Sequence, residues 1–171
     1  MGVAVNVRVP AGYSRLLGVL LVFGLLGPLS ACSFYRDVPV RDKTGAVTEE
    51  LETNPFSITT GDCIMDPGDG DIYELTVVPC TETHDLETYA VTYLPEGEYP
   101  GEDAVLEASD AFCLDEFERF IGLRYEESVL DMYTFYPTDQ TWTWKGDREV
   151  ICLAGEYEGA SAPGSLKGAG R

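Results

Sequence analysis

The chain contains one histidine, His84, and it stands among the carboxylates Glu82, Asp85 and Glu87. An imidazole changes charge near neutral pH, and neighbouring carboxylates can orient it, so this group has the makings of an acid–base pair. A nucleophile to go with it is missing. No serine sits in a G-x-S-x-G or S-x-x-K context, and the cysteines have another use. The ordinary reading of a histidine four residues past a cysteine, at the start of a strand, is a hydrogen bond that closes a turn, and that is the expectation here. Two further patterns are weaker. Cys80 and His84 lack the C-x-x-C spacing of a zinc site, so no metal is expected. Asp66 to Glu74 offers oxygens for calcium but fails the EF-hand arrangement, and reads better as an acidic hairpin turn. No pattern calls for a cofactor.

Arg148 follows Asp147 and could pair with Asp62, Asp85 or Asp147 to tie loops together. Trp142 and Trp144, with Tyr133, Phe135 and Tyr136 nearby, form an aromatic group. Aromatics in alternation mostly belong to a core, so only part of this set is expected to make a contact surface for a protein or glycan. The candidate binding residues are therefore His84, Asp85, Arg148, Trp142 and Trp144; no catalytic residue is assigned.

The elements that must hold these residues are legible in outline. Ile72 to Val78 is β-branched and aromatic-rich, follows a Pro-Gly-Asp-Gly turn and ends at Pro79, so it reads as a strand. Leu86 to Leu94 alternates as a second strand. From Glu102 to Ile121, Val105, Ala108, Phe112, Cys113, Phe117, Phe120 and Ile121 recur at spacings of three and four, which predicts one long helix stopped at Gly122. Met132 to Tyr136 and Val150 to Ala154 read as further strands, with Thr138 to Arg148 as a loop between them. The expected class is α+β: a small antiparallel sheet with one main helix packed on it.

The chain's beginning carries an address. Arg8 and Arg15 precede an apolar run, Leu16 to Leu26, broken only by two glycines and too short to span a bilayer. Leu29-Ser30-Ala31-Cys32 then resembles the lipobox of bacterial lipoproteins, in which the cysteine thiol takes a diacylglycerol and the chain is cut just before it. At about 0.8 kcal/mol per buried methylene, one acyl chain anchors marginally, while two anchor stably. Cys32 would be the membrane contact, on the extracytoplasmic face. Setting it aside also resolves the odd count of five cysteines. Cys63, Cys80, Cys113 and Cys152 remain as an even set in an oxidising compartment, where disulfides are the default. Three connectivities are open. The preferred one joins Cys63 to Cys80, which flank one hairpin-like stretch, and Cys113 to Cys152.

Charge narrows the partners. The precursor carries a net −19; without Arg8 and Arg15 the mature chain has 9 basic against 30 acidic residues, a net −21. Such a surface repels nucleic acid, which is excluded as a partner. The expected layout is a leader over 1–31, a lipidated tether over 32–54, one disulfide-stapled domain over 55–154 and a disordered Gly/Ser/Ala-rich tail over 155–171.

Within that domain an ordered set of motifs stands out: Gly61-Asp62-Cys63, Val78-Pro79-Cys80 with His84-Asp85, Tyr99-Pro100-Gly101, Cys113 on the helix, Pro137 before Trp142, and Gly146-Asp147-Arg148 leading to Cys152. Together they resemble the septum formation family of extracytoplasmic domains in Gram-positive, mostly actinobacterial, proteins. The resemblance covers Ile58 to Leu153. It departs at Thr83, where the family often has proline before the histidine, and at Glu87-Thr88, where it often has Glu-Val. The resemblance implies a cell-envelope protein linked to division. The expected function is a membrane-anchored, non-catalytic domain that binds an envelope protein or wall component; a cell-wall enzyme using His84 and a calcium-binding protein are the alternatives.

Overall fold

The computed structural model describes residues 38–171 apart from Asp69, and leaves the side chain of Glu158 undescribed. The expected leader, the lipidation expected at Cys32 and the first part of the expected tether lie outside the described residues.

Six strands form one antiparallel sheet. They are β1 (Leu51–Thr53), β2 (Cys63–Ile64), β3 (Leu75–Val78), β5 (Leu86–Tyr93), β6 (Leu130–Phe135) and β7 (Glu149–Glu156), in the spatial order β1-β3-β2-β5-β7-β6. Two short strands, β4 (Thr83–His84) and β8 (Ala162–Pro163), pair apart from it. The long helix α1 (Glu102–Ile121) has the predicted bounds. Glu102 and Asp103 sit in its first turn, where the helix dipole favours negative charge, and Gly122 ends it at φ 84 with its N–H on the Glu118 carbonyl. The buried stripe is narrower than the apolar pattern. It runs Val105, Ser109, Cys113, Phe117, Ile121, with Phe112 and Phe120 at its flanks and Ala108 exposed. Ser109 lies in the stripe without cost because its hydroxyl donates to the Val105 carbonyl at 2.7 Å.

The central strands β5 and β7 are buried on both faces, so their alternation separates two cores rather than core from solvent. On one face α1 packs Phe117, Cys113 and Ile121 against Ala90, Val150 and Cys152. On the other, Ile151, Leu153 and Leu86 meet Ile64, Val77, Ile58 and Val47. A β-bulge between Thr88 and Ala90 accommodates Tyr89 on the α1 face. There its ring meets Phe117 edge-on at 5.8 Å and its hydroxyl donates to the Cys113 carbonyl at 2.8 Å. Burial pushes the Tyr89 phenol far above its usual range.

Two disulfides close the fold with the preferred connectivity, Cys63–Cys80 and Cys113–Cys152. The second joins α1 to β7, and both its cysteines are fully buried. On a loop-entropy account the 17- and 39-residue separations correspond to about 3 and about 4 kcal/mol.

Several sequence expectations need correction. The strand read over Ile72 to Val78 begins only at Leu75; Tyr73 is exposed, while Ile72 packs on the second core from outside the ladder. The segment read as a loop from Thr138 to Arg148 contains a helix, α2 (Asp139–Lys145), started by a capping box between Thr138 and Thr141. A threonine takes the place of the usual Glu or Gln at the third helical position, which hides that signature in the sequence. The tether is part of the domain from Val40 onward: Arg41 bridges Val47, Val47 is buried, and β1 adds to the sheet.

The tail is not disordered. Beyond Ala154 the strand β7 continues to Glu156, β8 pairs with β4, and Leu166 is buried in the α1 core. The N–H groups of Gly168 and Gly170 donate to the Phe120 and Ile121 carbonyls, filling acceptors that a helix end leaves open. Short polar and small residues conceal this, because most of the tail's hold is through backbone and carboxylate bonds rather than apolar bulk.

Candidate functional site

His84 is buried on β4, with its Nδ1 2.9 Å from the Glu82 carbonyl. A carbonyl only accepts, so Nδ1 carries the proton in this contact. The surrounding carboxylates do not converge on the ring. Asp85 accepts from the Asp66 N–H at 2.8 Å and from the Ser161 hydroxyl. Glu87, 2 % exposed, accepts from the Ser165 hydroxyl at 2.7 Å and from the Leu166 N–H at 2.5 Å. Asp85 and Glu87 are thus each spent on fastening a different piece of chain, while Glu82 is exposed and offers the ring its backbone carbonyl. A cavity of about 110 Å³ lies beside His84, bordered by Asp85, Glu156, Gly164, Ser165 and Arg171, the last two acidic and basic groups, Glu156 and Arg171, being ion-paired. That pair lowers the Glu156 pKa, through the Arg171 hydrogen bond first.

Asp62 has a partner that sequence spacing could not supply. Its carboxylate, 2 % exposed, is gripped by both terminal nitrogens of Arg41 and accepts the Thr59 N–H at 2.7 Å. A bidentate guanidinium–carboxylate pair of this kind is both directional and strong. Arg41 lies in the segment read as tether, so nothing in the local pattern pointed to it.

Arg148 therefore does not pair with Asp62 or Asp85, as the sequence reading allowed. Its guanidinium stacks on Trp142, 3.7 Å from the ring, and donates to the carbonyls of Gly97 at 3.2 Å, Trp142 at 3.3 Å and Asp147 at 2.7 Å. Its carboxylate partner is Glu96, at 3.3 Å. Asp147 instead caps the Glu149 N–H with its carboxylate. Trp142 is buried, donates Nε1–H to the Gly97 carbonyl at 2.9 Å and meets Tyr99 edge-on. The motif residues Tyr99, Trp142 and Arg148 thus form one knot that ties the 95–101 turn to α2. Two residues on, Trp144 points outward and is 83 % exposed. The two tryptophans have opposite placements because two positions on a helix are about 200° apart. Phe56, roughly half exposed, lies beneath the Lys145 ammonium next to this outward face.

Among the described residues, one group brings three metal-ligating atoms together: Cys63, Cys80 and Glu87. The two sulfurs are bonded to each other, so no thiolate is available there. In the acidic turn, Asp66 accepts the Gly68 N–H at 2.8 Å; Asp69 lies outside the described residues. No described helix is long and apolar enough to cross a membrane.

The order of cysteines, the His84 turn and the Trp142–Arg148 knot all fall inside one match: residues 36–164 fit the septum formation family. The chain belongs to that family. The match begins ahead of Arg41 and ends just past β8, so it reaches into both chain segments that the sequence expectation left outside the domain, over 36–54 and 155–164. The family's description ties the chain to cell division and names no reaction. No curated protein and no solved structure matches the chain.

Proposed function

We propose that this septum formation protein is a lipid-anchored, extracytoplasmic and non-catalytic domain that binds an envelope protein or wall component during division. One observation carries the reading: two disulfides, one of them wholly inside the helix–sheet core, hold the domain together. A small domain that depends on such staples matures in an oxidising compartment, outside the cytoplasm. Cys32 supplies the anchor, and the net charge of −21 on the chain from Cys32 onward, 9 basic against 30 acidic residues, keeps the domain soluble and away from anionic headgroups. His84, Asp85 and Glu87, which could have run acid–base chemistry, are engaged in holding the turn, β5 and the tail. The outward tryptophan, Trp144, on a helix fixed by the Arg148 knot, is the contact residue, since rigid exposed aromatics supply binding area at small entropic cost.

The test is the intact mass of membrane-purified protein, with and without reduction. A diacylglyceryl adduct on a chain that starts at Cys32, with two hydrogens gained per disulfide, is the expected result. An unlipidated chain with free thiols would sink the address. A photo-reactive aromatic in place of Trp144 should cross-link in cells to an envelope protein or glycan strand; its failure to do so would sink the binding role.

A further inference from the structure

Among the described residues β6 is an edge of the sheet, and part of its backbone is unpaired. Just ahead of β7, the Arg148 carbonyl accepts the Leu94 N–H at 2.8 Å, so alternate residues from Arg148 through Val150, Cys152 and Ala154 turn their backbone toward β5. The intervening Ile151, Leu153 and Gly155 turn theirs toward Phe135, Tyr133 and Asp131. The backbone groups of Met132 and Thr134 consequently point away from the sheet. Leu130 agrees with this phase, since its N–H goes to the Ser128 hydroxyl rather than to β7. Among the described residues no backbone group pairs with Met132 or Thr134 from the outer side.

Sheet edges are normally blunted by lysine, proline, a bulge or short length. The far edge, β1, is only three residues long. β6 has six residues, Leu-Asp-Met-Tyr-Thr-Phe, in unbroken register with β7 and with one charge, Asp131. At its start opens a groove of about 420 Å³ lined by Tyr125, Val129, Leu130, Asp131 and Tyr157. Val129 and Tyr157 are more than half exposed there. An open edge beside an apolar groove is the pair of features by which an added strand is held: main-chain bonds for affinity and a side-chain recess for specificity.

We propose that β6 receives an extended, basic segment of a partner polypeptide as a seventh strand of the sheet. Charge selects this occupant. Asp131 lies on the strand, Asp110 accepts from the Thr134 hydroxyl at 3.2 Å, and the chain carries a net −19. A second copy would set one acidic β6 against another in a pair of like-charged chains, which is unfavourable. A segment that alternates β-branched residues with lysine or arginine meets both the edge and its charge. The proposal rests on the binding role given above and names the surface and the chemistry of the partner.

The test uses the full-length protein and a short soluble peptide alternating valine and lysine, with a valine–glutamate peptide as the control. The Met132 and Thr134 amides should exchange freely in the protein alone and become protected when the basic peptide binds. Thr134→Pro removes an outward N–H without touching the β7 ladder, and should weaken the basic peptide about fivefold to tenfold. If that variant fails to fold, Asp131→Lys serves instead and should reverse the preference between the two peptides. Equal binding of both peptides, binding unchanged by Thr134→Pro or Asp131→Lys, or Met132 and Thr134 protection that grows with protein concentration in the absence of peptide would each overturn the proposal. Cross-linking at Trp144 separates this failure from failure of the binding role. A partner captured there by a protein whose β6 takes no peptide would leave the role standing and discard the edge.

Discussion

Glu87 offers the sharpest test of how the domain is closed. Its carboxylate is almost wholly buried and receives two donors from the tail, the Ser165 hydroxyl at 2.7 Å and the Leu166 N–H at 2.5 Å. Two effects oppose each other when it becomes Glu87→Gln. Neutralisation relieves the cost of keeping a charge out of water, which alone would stabilise the variant. Against that, two charge-assisted bonds become neutral ones, at a loss of about 1 kcal/mol each. The carboxamide can still satisfy the site by turning its oxygen to the Leu166 N–H and its amine to the Ser165 oxygen, because a hydroxyl can accept as well as donate. Both donors come from the tail at short range, 2.7 and 2.5 Å, and are held there by the fold, so the hydrogen bonds should win and Glu87→Gln should cost about 1 to 2 kcal/mol. Combining it with Ser165→Ala removes the acceptor for the amine. The pair should then cost about 1 kcal/mol more than the sum of the single changes. Urea unfolding followed by tryptophan fluorescence gives these values, and hydrogen exchange at the Leu166 amide reports the tail directly. A more stable Glu87→Gln, or strictly additive changes with Leu166 exchange unaltered, would refute the view that the tail is latched to β5 through this carboxylate.

Two further substitutions probe the rest of the fold. Arg148→Lys keeps the charge but loses the flat stacking on Trp142 and the forked donation to three carbonyls, so it should cost about 2 kcal/mol in urea unfolding and shift Trp142 emission; an unchanged midpoint would remove the knot from the account of stability. Burial, aided by Asp147, raises the Glu149 pKa despite the opposing hydrogen bond from Tyr93. A carboxyl whose folded pKa lies above its unfolded value favours folding fully only below the unfolded value, and loses that contribution as pH rises through the folded one. Glu149→Gln should therefore stabilise the domain at neutral pH by less than about 1 kcal/mol, because solvent screens this half-buried site, and the gain should vanish below the carboxylate range. A gain that persists at low pH would show that its origin is not ionisation.

Local physics made much of the architecture readable. Apolar spacing and Gly122 define α1, because a helix is set by neighbours three and four residues apart. Alternation marks β5, since strand faces also repeat over short range. Cysteine counting and spacing pointed to Cys63, Cys80, Cys113 and Cys152 as the paired set, and the two disulfides join those four. The motif triplets were enough to indicate the septum formation family.

Other features depended on contacts between residues far apart in the chain. Asp62 meets Arg41 across 21 positions, Glu87 meets Leu166 across 79, and Arg148 meets Gly97 across 51. No local period encodes such pairs, and polar or glycine-rich stretches look the same in sequence whether their backbone bonds go to water or to the domain. Folding decided that the tail closes a core, that Trp142 is inside while Trp144 is outside, and that the acids around His84 serve different partners. The open edge of β6 likewise arises because β7 occupies one side of that strand and, among the described residues, nothing pairs with the other.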